Sequence, residues 1–436
     1  MSSRILASGG GPLSGSVRVP GDKSMSHRAV MFGALAVGTT EVKGFLPGAD
    51  TLATLAAFEQ LGVQIERTSD DRLIIQGVGL HGLTQPDQPL DMGNSGTGMR
   101  LMAGILAAQP FPSTLIGDHS LSGRPMGRVL NPLAQMGAQV GSADGQKPPL
   151  QFMPVKTLKA IDYRLPMASA QVKSCVLIAG LYAEGVTRVV EPAPTRDHSE
   201  RMLRGFGYQV KTAGAEVSLA GGGQLSACRV QVPGDISSAT FPLIAALITP
   251  GSELLLEGVG INPTRDGVLR ILAKMGARIE QSNHREEGGE PVADLRVFGS
   301  ELKGIRIDGE LVALAIDEIP ALAVAAACAQ GTTTIADAGE LRVKESDRIS
   351  STVAGLQVLG VDVEERPDGM VIRGGKLRGG QVDAAGDHRL AMAFAVASLR
   401  ATGPIEILDC DNVVTSFPNY VALMSEIGLD INWLSS

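Results

Sequence analysis

The hexapeptide Val19-Pro-Gly-Asp-Lys-Ser returns almost unchanged as Val232-Pro-Gly-Asp-Ile-Ser, close to half the chain later. Each copy precedes a run of small apolar residues. A glycine and a β-rich segment follow, Gly38-Thr-Thr-Glu-Val in one case and Gly251-Ser-Glu-Leu-Leu in the other. A chain written this way is a tandem of two similar halves, which excludes most folds of its length. A shorter period runs beneath. Helices opening on a capping residue begin near Ser24, Ser95, Ser169, Ser237, Asp317 and Asp387, roughly 70 to 80 residues apart. A second set of helices ends in an apolar residue plus glycine: Leu61-Gly62, Met136-Gly137, Phe206-Gly207, Met275-Gly276, Leu359-Gly360 and Ile427-Gly428. Glycine there accepts the left-handed conformation of a C-cap. Every unit therefore reads strand–helix–strand–helix–strand–strand, six in all and three to a half.

The fold class that follows is α/β with two domains, since 436 residues exceed what one core usually holds. The first helix of each unit is nearly all small and apolar, as in 321–329 and 392–398, and is expected to be buried. The second is amphipathic and is expected between the sheets and water. Polar spans 141–149 and 283–291 read as hairpin tips. The junction between halves falls at 232–238, and residues 1–20 could join either half. Aromatics make up 3% of the chain, which argues against a stacking surface for single-stranded nucleic acid. A net charge of −8 argues against general nucleic-acid binding. Cys175, Cys228, Cys328 and Cys410 show no paired spacing, so neither a disulfide framework nor a zinc site is expected. Cys175 and Cys328 fall within apolar helical patterns and read as buried thiols. With no apolar core in the first twelve residues and no run of about 18 apolar residues, a cytoplasmic protein without a membrane partner is expected.

Residues at the six helix starts are expected to gather at one end of each half, facing a cleft between them. Lys23, Ser24 and Arg28 surround the first start, where free N–H groups and the helix dipole favour a phosphate or carboxylate. The second unit offers Asn94-Ser-Gly-Thr-Gly-Met-Arg100, including Gly96, and Ser122-Gly-Arg-Pro-Met-Gly-Arg128, including Arg124. The third offers Ser169-Ala170-Gln171 and Thr195-Arg196-Asp-His198. The fifth offers Asp317-Glu318 and Arg342-Val-Lys344-Glu345-Ser-Asp-Arg348, and the sixth Asp387-His388-Arg389.

Taken singly, each piece reads as architecture. Ser169 and Asp317 are good N-caps in any protein. Residues 93–98 lack dinucleotide-binding spacing, and Gly21-Asp-Lys-Ser lacks the earlier glycine of a nucleotide P-loop. Arg265-Asp266 repeats Arg196-Asp197 without polar company and reads as structural. His27, His198 and His388 share no metal-ligand spacing, so hydrogen-bonding roles are expected. Together the balance changes. Lys23, Arg28, Arg124, Arg196, Lys344, Arg348 and Arg389 gather cations in an acidic chain, which calls for a polyanionic ligand. Asp317 and Glu345 stand among them, placed for proton transfer rather than metal binding. Transfer chemistry between two phosphorylated small molecules follows.

Gly-Asp-Lys-Ser-x-Ser-His-Arg, Gly-Asn-Ser-Gly-Thr, Ser-Ala-Gln-Val-Lys-Ser, Arg-Val-Lys-Glu-Ser-Asp-Arg and Asp-His-Arg, in this order, resemble the 5-enolpyruvylshikimate-3-phosphate synthase family over essentially the whole chain. The Ser-Ala-Gln and Thr-Arg-Asp-His forms are more similar to the bacterial variant class, class II, than to the enteric one. The resemblance implies a two-domain inside-out α/β barrel of six βαβαββ repeats, three per domain, closing on substrate. It assigns residues 21–235 to an N-terminal domain, and 1–20 with 236–436 to a C-terminal one.

It further implies that Lys23, Ser24, Arg28, Ser169, Ala170, Gln171, Arg196, Asp317 and Lys344 hold shikimate-3-phosphate. Lys23, Gly96, Arg124, Gln171, Arg348 and Arg389 would hold phosphoenolpyruvate, with Asn94 and His388 beside them. Asp317, helped by Lys23, would accept the 5-hydroxyl proton, and Glu345 would donate one to the methylene carbon. No metal or organic cofactor is implied, and a monomer is expected. Thr415 stands where many members carry Lys, and Leu101 where the enteric class has Pro. Gly96 matches glyphosate-sensitive members.

Three rivals are weaker. Enolpyruvyl transferases acting on UDP-N-acetylglucosamine carry Lys-Asn where this chain has Lys23-Ser24, and a reactive loop cysteine that has no counterpart here. RNA 3′-phosphate cyclases share a similar repeat but need a catalytic histidine and a nucleotide site. A repeat scaffold would not need Lys23, Asp317, Glu345 and the arginines at unit ends.

Overall fold

The computed structural model describes residues 3–434. The chain divides into two compact units. One comprises Gly21–Val232 with Glu287–Glu290; the other comprises the residues up to Pro20, Pro233–Glu286 and those from Pro291 onward. Each has its own hydrophobic core.

Among the described residues, six mixed sheets share one strand order: a parallel pair, then two strands added antiparallel. In the sheet of the second unit, Leu90–Asp91 runs parallel to Ser113–Ile116, which pairs antiparallel with Lys147–Phe152, which pairs with Val140–Ala143. The third and fifth repeat this order around Val186–Val190 and Thr332–Ile335. Three strands come from distant sequence. Arg229–Gln231 lies parallel to Ala36–Lys43 and completes the first sheet. Ser14–Val17 lies parallel to Glu253–Gly260 and completes the fourth. Arg4–Ser8 pairs with both Ile405–Leu408 and Asp430–Leu434 in the sixth. Residues 4–17 therefore belong with the sheets of the second half, a choice the repeat pattern left open.

The first helices are Lys23–Leu35, Gly96–Leu106, Ala170–Gly180, Ile236–Ile248, Ile319–Ala327 and His388–Ala397, and nearly all their residues are buried. Their small side chains let backbones approach. A Cβ at Gly104 would lie 2.5 Å from the Cys175 carbonyl oxygen, so the Gly96–Leu106 and Ala170–Gly180 helices pack at a spacing only glycine allows. Second helices end as expected. Gly62, Gly137, Gly207, Gly276, Gly360 and Gly428 all have positive φ. In each, the next residue's N–H reaches back to a carbonyl five positions earlier, as from Val63 to Phe58 and from Tyr208 to Leu203, closing a Schellman motif.

Some details differ from expectation. The first and fourth helices are capped by Asp22 and Asp235 rather than by Ser24 and Ser237, because the acid two residues earlier reaches the free N–H groups. Asn283 lies within the strand Arg278–Glu287, and the hairpin tip is Gly288-Gly289. Cys328 caps a helix and is only partly buried, whereas Cys175 is enclosed. Among the described residues, no helix is long and apolar enough to cross a membrane.

Candidate active site

In the Gly21–Val232 unit, the starts of three first helices are tied to one another by buried polar groups. His27 sits one turn into Lys23–Leu35. Its Nδ1 is 2.8 Å from the Thr54 hydroxyl and its Nε2 is 3.4 Å from the Ser95 hydroxyl. Ser95 is itself the N-cap of Gly96–Leu106. The ring thus ties the Lys23–Leu35 helix to the cap of Gly96–Leu106, a hydrogen-bonding role as expected. Burial, with lesser contributions from Lys23 and Arg28 against Asp50, pulls its pKa from 6.5 down to about 3. Folding therefore requires the neutral ring. Below pH 6.5 the unfolded chain binds a proton that the folded chain refuses, so stability falls as pH drops from 6.5 towards about 3. One such proton contributes about 1.4 kcal/mol per pH unit to that slope. Urea unfolding at stepped pH is expected to show a slope shallower by this amount in His27→Gln; equal slopes would contradict it.

Lys23 is half-buried, and its ammonium pairs with Asp50 at 3.0 Å. Arg28 is enclosed: Nε donates to the Ser199 hydroxyl at 2.7 Å, one terminal nitrogen to the Ser24 carbonyl at 2.8 Å, the other to the Ser174 hydroxyl at 3.0 Å. Burial, opposed by Glu200 and Asp22, lowers its pKa from 12.5 to about 10. Arg196 is near enough to contribute to that lowering. Ser169 caps Ala170–Gly180, so Ala170 and Gln171 present the free end of that helix. Gln171 accepts from Arg100 at 2.8 Å and donates to the Thr97 hydroxyl at 2.9 Å, which ties it to the Gly96 helix. Arg124 donates to Asn94 Oδ1 at 2.8 Å, and Asn94 donates in turn to Asp118 at 2.7 Å. A Cβ at Gly96 would stand 3.0 Å from Arg100 and 3.3 Å from Arg124.

The other unit holds a second cluster around Arg348, the first residue of Arg348–Val358 and 1% exposed. It donates to Asp387 at 2.7 Å, to Glu345 at 2.6 Å and to Asp317 at 3.4 Å. Burial works against ionisation of Glu345 and Asp387, but Arg348 and His388 outweigh it and hold both below the usual carboxylate range. Arg389 donates to the Asp317 carbonyl at 3.1 Å, with its other terminal nitrogen 3.9 Å from the Asp317 carboxylate. His388, beside Asp387, is buried within interaction range of Glu345. Lys344 stands apart from this cluster and pairs with Glu340 at 3.1 Å. The Thr415 hydroxyl closes its own turn on the Asn412 carbonyl.

The picture of a bare ring of cations needs correcting. Lys23, Lys344, Arg348 and Arg389 already face carboxylates, and Arg28 is enclosed by hydroxyls and a carbonyl, so repulsion alone does not demand a polyanion. What the clusters offer is exchangeable pairing: each cation can trade a protein carboxylate for an anionic substrate. Asp50, Asp118 and Glu340, which pair with Lys23, Asn94 and Lys344, escaped the sequence-based expectation. Asp50 and Glu340 each lie in the first turn of a helix, where an acid is ordinary and signals no site.

The chain matches the family model described as EPSP synthase (3-phosphoshikimate 1-carboxyvinyltransferase) over residues 7–424. It is 60% identical over 427 residues to the 3-phosphoshikimate 1-carboxyvinyltransferase of Methylococcus capsulatus, covering 98% of each chain. It is 61% identical over 426 residues to that of Acidithiobacillus ferrooxidans, again covering 98% of each. The solved EPSP synthase of Acinetobacter baumannii superposes over 100% of both chains with a TM-score of 0.92 and 51% identity. With sequence, motifs and architecture in agreement over its whole length, the chain belongs to the EPSP synthase family.

Proposed function

We infer that this chain transfers the enolpyruvyl group of phosphoenolpyruvate to the 5-hydroxyl of shikimate-3-phosphate and releases inorganic phosphate. The observation that carries this is Asp317, a carboxylate held against two guanidiniums beside a second, ionised carboxylate, Glu345. Such a pair can take a proton from a hydroxyl and handle one at carbon while the arginines neutralise the incoming anions. Lys23, Ser24, Arg28, Ser169, Ala170, Gln171 and Arg196, with Asp317 and Lys344, hold shikimate-3-phosphate. Lys23, Gly96, Arg124, Gln171, Arg348 and Arg389 hold phosphoenolpyruvate, with Asn94 and His388 supporting them.

Asp317 takes the 5-hydroxyl proton as that oxygen bonds to C2 of phosphoenolpyruvate, while C3 gains a proton from Glu345. The resulting methyl group then returns a proton to Glu345, the bond from C2 to the phosphate oxygen breaks, and the departing phosphate takes the proton that Asp317 removed from the hydroxyl. Arg348 and His388 hold the Glu345 carboxyl below the usual carboxylate range, which favours the ionised form the second step needs. A substrate carboxylate at Arg348 competes for the guanidinium that keeps Glu345 ionised, which lets Glu345 take up the proton the first step spends. No organic cofactor enters this sequence. The inside-out α/β barrel of the family, its domains at 21–235 and at 1–20 with 236–436, closure on shikimate-3-phosphate, and a cytoplasmic monomer complete the proposal.

Steady-state kinetics test the division of labour. Arg124→Ala and Arg389→Ala are each expected to raise KM for phosphoenolpyruvate about 100-fold, with a change of at most a few-fold for shikimate-3-phosphate; Arg196→Ala reverses the pattern. If both constants rise together in all three variants, the assignments fail. Glyphosate is expected to compete with phosphoenolpyruvate. Gly96→Ala must displace Arg100 and Arg124 by a few tenths of an ångström, and is expected to raise its inhibition constant more than about tenfold. An unchanged inhibition constant in Gly96→Ala would contradict the placement of that ligand.

A further inference from the structure

Lys173 stands within the Ser169-Ala-Gln-Val-Lys-Ser motif, yet no step above uses it. Its side chain is 1% exposed, and its ammonium lies 2.9 Å from Glu191 and 2.7 Å from Glu200. Removing an ammonium from water is costly, and apolar residues of similar size usually fill such a place at no loss of stability. The lysine's value lies in what it joins. The second oxygen of Glu191 accepts a short hydrogen bond from the Thr195 hydroxyl, which reaches the residue before Arg196. Glu200 belongs to the helix His198–Gly205, and its neighbour Ser199 accepts from Arg28 at 2.7 Å and donates to Ser174 at 2.7 Å. Lys173 and Arg28 balance the charges of Glu191 and Glu200, and Arg28 feels the field of Glu200. The other oxygen of Glu200 has no hydrogen-bond partner, so its ion pair with Lys173 is what compensates that carboxylate most directly. This polar layer joins residues 23–28, the start of Ala170–Gly180 and the loop carrying Arg196.

We propose, on the strength of the substrate assignment above, that Lys173 is a positioning residue for shikimate-3-phosphate, fixing the Arg196 loop against the start of the Ala170–Gly180 helix through Glu191 and Thr195. A single ammonium with three N–H donors serves two carboxylates from two segments and supplies a positive charge against them, which a neutral side chain cannot do. Methionine at this position fills similar space but leaves Glu191 and Glu200 facing each other without a cation. Glu191 then shifts or takes a proton, and the Thr195 tether slackens.

The test is a KM comparison across Lys173→Met, Thr195→Val and Thr195→Ser, all in the full chain. Phosphate release from phosphoenolpyruvate by the parent, with and without shikimate-3-phosphate, is measured first. Lys173→Met is expected to raise KM for shikimate-3-phosphate about 10- to 100-fold, with KM for phosphoenolpyruvate within about threefold. Thr195→Val is expected to raise it about tenfold, and Thr195→Ser, which keeps the hydroxyl, to restore it to within about twofold. The threonine pair decides the matter if Lys173→Met does not accumulate in folded form. Unchanged constants in Thr195→Val, or a parallel rise for both substrates, overturn the positioning role while leaving the reaction intact. A parent that releases no phosphate under either condition overturns the substrate assignment and the inference together.

Discussion

Asp317→Asn is expected to lower kcat about a thousandfold while moving neither KM more than a few-fold, the loss typical of a removed general base. The amide keeps the volume of the carboxylate and can still accept a hydrogen bond, but it cannot take the 5-hydroxyl proton. The surroundings survive the change. Arg348 retains Asp387 at 2.7 Å and Glu345 at 2.6 Å, and Arg389 is anchored on the backbone carbonyl of residue 317 rather than on its side chain. Thermal unfolding should therefore show a loss of no more than about 1 kcal/mol. A kcat within about fivefold of the parent would remove Asp317 from proton transfer.

Arg348→Met is expected to abolish measurable turnover and to cost about 3–5 kcal/mol in stability, because it leaves Asp387 (0% exposed) without its cation. The pH dependence gives the effect a signature. In the parent, Arg348 and His388 overcome burial and hold Asp387 and Glu345 below their unfolded values near 4, so their contribution persists above about pH 4 and is lost as pH falls through the depressed values. In the variant the strongest charge opposing burial disappears, and burial raises both carboxyls instead. The variant's deficit is then greatest at neutral pH and narrows towards pH 5, as the orphaned carboxylates take up protons. Urea unfolding of both proteins at pH 8 and pH 5 measures this. A deficit that stays constant would show that packing, not charge, is what Arg348 supplies.

Repeat boundaries were legible in the chain because a left-handed C-cap strongly favours one residue type. Gly62, Gly137, Gly207, Gly276, Gly360 and Gly428 mark six helix ends that the backbone confirms. Helix starts were less sharp, since Asp22 and Ser24 are both competent caps and only geometry chooses between them. Strand exchange was invisible to pattern: Ser14–Val17 reads Ser-Gly-Ser-Val, which carries no alternation, and nothing in it names Glu253–Gly260 as a partner.

At the site, cations announced themselves through motifs, whereas the carboxylates that hold them did not. Asp50 and Glu340 look like ordinary helix-surface acids until they are seen beside Lys23 and Lys344. Asp387 was read as a helix cap, which it is, since it accepts from the Arg389 N–H at 2.9 Å. Its second role, pairing with Arg348 from the preceding repeat unit, depends on a contact that spacing cannot reveal.

Phosphorus NMR of the purified protein with equal amounts of phosphoenolpyruvate and shikimate-3-phosphate puts the enolpyruvyl transfer to the plainest trial. Loss of the phosphoenolpyruvate resonance should match the gain of inorganic phosphate, while the resonance of the shikimate 3-phosphate group shifts but keeps its intensity. Free phosphate appearing without shikimate-3-phosphate, or a spectrum that stays still with folded protein and both compounds present, would contradict the account.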